Sequence, residues 1–420
     1  MLLSTNPNCL IYLFLLAIFF ISYDSLPLLS FSTYSPVSIF FIIPAYILIL
    51  LNKTLVSNSG KYLIYFFIFS FIHSLLSALI YNDFYTFIQH AVTLLVMLGS
   101  FFLAEYAFSL KKYYKLYTQC FIIAFSLPLL SGCMQLLNQF GFNIGFVRLF
   151  TSFFVTRLYE VRMQMLSGEP SWAALHLLAV MPFLYFSNYK SKYKDFCLLI
   201  TIILLIFSFS SYGYAVLLLS LVLFFVLNYN KKTILKSILL IISACTIVFL
   251  ANAAIQYLGI DNYYSHRFDI DFYLSNNFLE KDGSMFVRLV FPYIGILEFL
   301  DFPIGYGGGF YYVNAGMYLK EFFDYGLKYD EVLFYYTNDS MKPISLYAKL
   351  LAEEGLFSIF LFYFFYLIYR KCSSKREKYV WCLAMALIFN FSSYACIDFW
   401  IILGALSGGF FREKNAGGEY

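Results

Sequence analysis

Charge is what this 420-residue chain has least of: only 12% of its positions are Asp, Glu, Lys or Arg, against about 25% in a soluble globular domain. So few charges cannot coat a body of this size, which excludes a soluble globular protein, and the composition equally excludes a disordered chain or a secreted disulfide scaffold. The cysteines (Cys9, Cys120, Cys133, Cys197, Cys245, Cys372, Cys382 and Cys396) show no CxxC spacing. A zinc site or disulfide framework is therefore not expected, and they read as small apolar fillers. No Lys or Arg precedes Cys9, so the first apolar segment lacks the basic region of a signal peptide and reads as an uncleaved anchor. The net charge of +4 is too small to suggest a nucleic-acid partner.

What is present is apolar: 61% of the chain is hydrophobic, with 52 Phe and 39 Tyr. The expectation is an all-α protein that crosses a membrane many times. A helix needs about 20 apolar residues to cross a bilayer. Segments 9–23, 36–51, 61–81, 87–109, 116–137, 170–188, 237–258 and 345–369 meet or approach that length. Two further stretches, 196–228 and 379–411, are long for one helix and short for two.

The distribution of positive charge arbitrates. Lys190, Lys192 and Lys194 precede 196–228, and Lys231, Lys232 and Lys236 follow it. Both clusters belong on the cytoplasmic side, so an even number of spans separates them. The same parity holds between Arg370–Lys378 and Arg412/Lys414. The result is about twelve spans with both termini cytoplasmic: 1–258 membrane helices, 259–344 a large outer loop, 345–411 the last membrane helices and 412–420 a cytoplasmic tail. Most of the 28 Lys and Arg then fall inside, none falls in the short outer loops, and the remainder lies with two long outer segments, 138–169 and 259–344.

Those two segments carry the chemistry-bearing residues. The first holds Arg148, Arg157 and Arg162, then Gly168-Glu169-Pro170 at the mouth of a helix. Pro170 suits a first helical position, and Glu169 suits the positive end of the helix dipole, so a capping role competes with a chemical one. Glu169, Trp172 and His176 share a helix face. His176 reads either as a buried, hydrogen-bonded histidine or as a polar-cavity residue. The second segment holds His266, Arg267, Arg288, the run Pro303-Ile304-Gly305-Tyr306-Gly307-Gly308-Gly309, and later Asp339. The run is too glycine-rich for a helix and offers backbone N–H groups to an anion. It lacks the Lys-Ser/Thr of a nucleotide-binding loop. Arginine is always protonated and presents a planar fork matched to phosphate oxygens, so arginines facing outward suit a lipid-linked phosphate or pyrophosphate. Snorkelling to lipid headgroups is the plainer alternative.

These residues resemble the bacterial O-antigen polymerases (Wzy), within the wider O-antigen ligase/polymerase superfamily. Arg157 and Gly168 match an Arg-x10-Gly pattern. Arg288 followed by Pro303-Ile304-Gly305-Tyr306-Gly307 is similar to the arginine-to-glycine pattern of the second loop, and Leu350–Phe357 (LLAEEGLF) resembles the Leu-x-x-Glu-x-Gly entry to the next span. The related ligases carry a histidine eleven residues before that last glycine; here Ile344 stands in its place.

The resemblance implies a glycosyltransferase of the bacterial inner membrane with its active site facing the periplasm. Such an enzyme joins oligosaccharide repeat units held on undecaprenyl pyrophosphate. Arg157, Arg162 and Arg288 would clamp the pyrophosphate, with Glu169 as first candidate for the base and Asp339 and His266 behind it. Arg148, Arg267, Gly168, Gly305, Gly307, Tyr306 and His176 would line the substrate site. No cofactor and no metal is expected. Membrane lipid is an expected partner, and a chain-length regulator and a flippase are candidate ones. An O-antigen ligase, or a polysaccharide transporter or flippase, is the alternative reading; the absent histidine speaks against the ligase. One long outer loop and sparse intramembrane charge speak against the transporter.

Overall fold

A computed structural model describes residues 7–27, 35–51, 57–139, 141–142, 145–159, 162–208, 210–228, 279 and 283–412. The expected span 237–258, together with His266 and Arg267, lies outside the described residues. Among the described residues all regular structure is helical. In chain order these helices are α1 (Pro7–Phe19), α2 (Ile39–Leu51), α3 (Gly60–Tyr81), α4 (Phe84–Ser109), α5 (Tyr114–Gln139), α6 (Phe146–Ser152), α7 (Pro170–Phe186), α8 (Lys192–Phe207), α9 (Ser211–Leu227), α10 (Gly283–Asp301), α11 (Tyr312–Phe322), α12 (Asp330–Thr337), α13 (Leu346–Lys371), α14 (Lys375–Leu387) and α15 (Ile397–Gly408).

Helix α4 is the axis of the bundle, packed by α1, α2, α3 and α15. It starts where the Asp83 carboxylate accepts the Thr86 N–H at 3.1 Å, a standard N-cap. Its contact with α15 depends on small residues. A Cβ on Gly404 would lie 2.5 Å from the Ala104 Cβ, and one on Gly408 would lie 2.8 Å from the Phe108 Cβ. Apolar solvent gives no drive for such helices to associate in lipid, so close backbone approach supplies the packing. Helix α3 turns the opposite character outward: Ile68, Phe69, Ile72, Leu76, Leu79 and Ile80 are all exposed, as lipid contact requires.

The structure supports a polytopic membrane protein and is more restrained about the number of spans. Five described helices are long and apolar enough to cross a membrane, α3, α4, α10, α13 and the stretch Lys111–Gln139, or six if α8 and α9 count as one broken span. Helices α1, α2, α7 and α15 are apolar but only 12–17 residues long. Helices α8 and α9 meet at a bend of 111°, next to Ser208 and Ser210. Helix α10 meets the length and composition of a span yet falls inside 259–344, the stretch read as an outer loop.

The two ends of the bundle differ in chemistry. At one, the Lys371 ammonium donates to Ser59 and Ser407 at 2.8 and 2.9 Å and lies 4.0 Å from Glu105, joining the termini of α3, α4, α13 and α15. At the other, the Tyr312 hydroxyl donates to Asp83 at 2.8 Å, tying α11 to the turn between α3 and α4. Around α10, α11 and α12 a small separate core forms from Phe286, Phe291, Ile294, Tyr311, Leu319 and Val332.

Candidate active site

The segment 153–169 has little regular structure, so side chains must satisfy its backbone. Two glutamines do most of this. The Gln135 amide oxygen accepts from the N–H groups of Gln164 and Met165 at 3.0 and 2.9 Å, and its amide nitrogen donates to the Met165 carbonyl at 2.8 Å. Gln164 accepts the Tyr159 N–H at 2.6 Å and donates to the carbonyls of Arg157 and Ser167 at 2.9 and 3.0 Å. The loop carrying Arg157 is thus pinned to α5.

Its far end is anchored in the core. The Gly168 N–H donates to Asp24 at 2.8 Å. A Cβ on Gly168 would come within 2.8 Å of Ser25 and Trp172, which is why glycine stands there. The other Asp24 oxygen lies 2.9 Å from His176 Nε2, and His176 Nδ1 lies 3.0 Å from Asp398. All three side chains are fully or almost fully buried. Removing one partner from a buried ion cluster leaves an uncompensated charge, which costs about 3–5 kcal/mol. His176 therefore faces the interior of the bundle, between two carboxylates, while Glu169 stays half-buried at the mouth of α7. Glu169 takes the N-cap position, with Pro170 first in the helix, but its side chain makes no capping hydrogen bond and accepts instead from Ser171 at 3.1 Å.

Arginines from the two long segments act on neighbouring groups here. The charge of Arg288, from α10, acts on Glu169; those of Arg157 and Arg162 act on Tyr159; and Arg157 and Glu169 both act on Tyr335 of α12. Glu331 joins the same group. Arg157 is exposed and stacks over the Tyr159 ring at 4.9 Å, while Arg288 donates to Ser284 at 2.8 Å. Burial raises the Glu169 carboxyl above its ordinary value, opposed by the Ser171 hydrogen bond and the Arg288 charge. Burial, then the Glu331 and Glu169 charges, pushes the Tyr335 phenol up to about 12. Beside this patch Arg148, Arg162, Tyr159, Gln135 and Gln164 line a cavity of about 150 Å³. A guanidinium acting on a carboxylate, with two more acting on the neighbouring tyrosine, offers groups of the kind that hold a pyrophosphate and a hydroxyl nucleophile.

The glycine run has a different setting. The N–H groups of Tyr306 and Gly307 donate to the carbonyls of Ala352 and Glu353 at 3.0 and 2.8 Å, and the Gly309 N–H donates to the Glu353 carboxylate at 2.8 Å. These donors are spent on α13 rather than presented to an anion. Tyr306 stacks on Phe302 at 5.1 Å. Asp339 is exposed just beyond α12, where its charge acts on Tyr312. Tyr159, Glu331, Gln135 and Gln164 were not singled out by the sequence, because they carry no distinctive spacing here, and Tyr335 was only one of many tyrosines in its segment. Asp24 and Asp398 had a usable signal, an acidic side chain inside an apolar run.

Residues 196–363 match the family model described as O-antigen ligase. The match takes in Arg288, the glycine run and Leu350–Phe357, and ends on the C-terminal side of Arg157, Gly168 and Glu169, which precede it. It is consistent with the O-antigen ligase/polymerase superfamily and points to a glycosyl-transfer enzyme acting in O-antigen processing on a lipid-linked oligosaccharide. No curated protein sequence matches the chain.

Proposed function

We propose that the protein polymerises undecaprenyl-pyrophosphate-linked repeat units into O-antigen or a similar surface polysaccharide at the periplasmic face of the inner membrane. The observation that carries this reading is that Arg288 from one segment acts on Glu169, while Arg157 and Arg162 from the other act on Tyr159, on which Glu169 also acts. The acceptor unit's hydroxyl attacks the anomeric carbon of the donor chain. The bond from that carbon to the pyrophosphate oxygen breaks, and the hydroxyl proton passes to Glu169. The lipid pyrophosphate leaves with its charge held by the guanidinium groups, which are of most use where charge develops. Ile344, standing where the related ligases carry a histidine, favours polymerase over ligase. The ligase reading keeps the support of the family description.

A deletion strain complemented with Arg157→Ala or Arg288→Ala tests the reading on a lipopolysaccharide gel. Both variants are expected to remain in the membrane and to leave a single repeat unit on the lipid A core in place of the ladder. Normal ladders from both variants remove the clamp. A ligase would instead leave polymer on its carrier lipid and none on the core.

A further inference from the structure

Helix α13 is interrupted by a π turn at Leu350–Glu354, the kind of bulge that recurs at functional sites. It turns two adjacent carboxylates inward: Glu353 is 2% exposed and Glu354 0%. Glu354 accepts the Ser70 O–H at 2.5 Å and lies 3.4 Å from His90 Nε2 and 3.9 Å from His73 Nδ1. Ser70 also meets His90 Nε2 at 2.9 Å. Glu353 takes the Gly309 N–H on the oxygen that lies 3.6 Å from Lys349. One ligand atom from each of His90, Glu353 and Glu354 lies within 4.8 Å of the other two. A cation with bonds of about 2.0–2.2 Å bridges such a gap after small side-chain movements.

A second observation comes from another helix. Glu298 of α10 is 0% exposed, neither of its carboxylate oxygens has a hydrogen-bond partner among the described residues, and its charge acts on Glu353. The second Glu354 oxygen and the Tyr394 hydroxyl, both buried in the same neighbourhood, likewise have no hydrogen-bond partner. Three buried acidic side chains therefore face two lysines, Lys349 and Lys342, and two histidines. Buried charge that is neither paired nor bound to a metal is strongly unfavourable.

We propose that His90, Glu353 and Glu354 bind a divalent cation, with Glu298 as a further acid facing the site. The mixture of one imidazole with carboxylates suits manganese or zinc better than calcium. Bound there, the ion would tie α3, α4, α10 and α13 together through Ser70, His90, Glu298 and the π turn. The site uses none of the arginines and stands apart from the proposed glycosyl transfer.

The test uses the full chain in detergent, stripped with EDTA and titrated with MnCl2. Bound Mn2+ is followed by electron paramagnetic resonance and Tm by intrinsic fluorescence. Wild type is expected to bind one Mn2+ per chain with a rise in Tm. Glu354→Gln and His90→Gln should weaken binding at least tenfold, and Glu105→Gln, at the opposite end of the bundle, should leave it unchanged. Glu298→Gln removes an acid facing the site but none of the three ligands, so it should weaken Mn2+ binding severalfold. Absence of Mn2+ binding by wild type, or equal binding by wild type, Glu354→Gln and His90→Gln, overturns the site. If those two variants fail to fold, Glu298→Gln decides alone: an Mn2+ affinity identical to wild type overturns it.

Discussion

Glu169 sits where two effects oppose each other. The amide dipoles at the start of α7 favour its charged form, and burial disfavours it. A base must be ionised to take a proton, and a raised carboxyl ionises only above its raised value. The acid limb of kcat/KM is therefore expected above 4.5, the ordinary value for a glutamate. Arg288→Ala removes a charge that holds the carboxyl down, so in any residual activity the limb moves further up. Glu169→Gln should lose about 10²–10⁴ of the rate, together with that limb. A glutamine variant with an unchanged rate and limb would take Glu169 out of the chemistry. At this scale the charged residues were legible. In a chain so poor in charge, Arg157, Arg162, Arg288 and Glu169 stood out; in the structure Arg288 acts on Glu169, and Arg157 and Arg162 act on Tyr159. Their supports, Gln135, Gln164 and Tyr335, were not legible, because what matters in them is a contact across sequence rather than a local pattern.

The glycine run and the π turn form one unit. Gly305 has φ +85°, a conformation that costs an L side chain about 1–2 kcal/mol, and a Cβ there would lie 2.4 Å from the Glu353 carbonyl oxygen. Gly355 faces it with φ +55°, its Cβ position 2.2 Å from the Pro303 carbonyl oxygen. The Leu356 N–H donates to that Pro303 carbonyl at 2.9 Å, so the two chains approach backbone to backbone. Gly305→Ala is therefore expected to lower Tm and the folded yield in the membrane, by more than the conformational cost alone. A fluorescence melt of the detergent-purified variant checks this, and an unchanged Tm would mean that the loop is not locked to α13. The sequence signalled that the run is not helical. It could not signal where the freed N–H groups would go, since that depends on α13 breaking into a π turn at Leu350–Glu354.

Across the whole molecule, scarcity of charge identified a membrane protein, and the helices agree. The count of about twelve spans rested on hydropathy and on the parity of the positive clusters, neither of which registers breaks in a helix. Helices α1, α2, α7 and α15 stop at 12–17 residues, and α10 places an apolar helix of 19 residues in a stretch read as loop. The two ends of the bundle also differ in chemistry. Glu105 and Lys371 gather at one, while Arg157, Arg288 and Glu169 belong to a separate group from residues 138–169 and 259–344. The central claim is that this group holds a lipid pyrophosphate during chain growth. It is tested most directly by incubating purified protein with undecaprenyl-pyrophosphate-linked repeat units and following product length on a gel. Wild type should extend the chains, and Arg157→Ala and Arg288→Ala should each slow extension by about 10²–10³, as expected for losing a donor to developing charge. Extension by both variants at the wild-type rate would contradict the account.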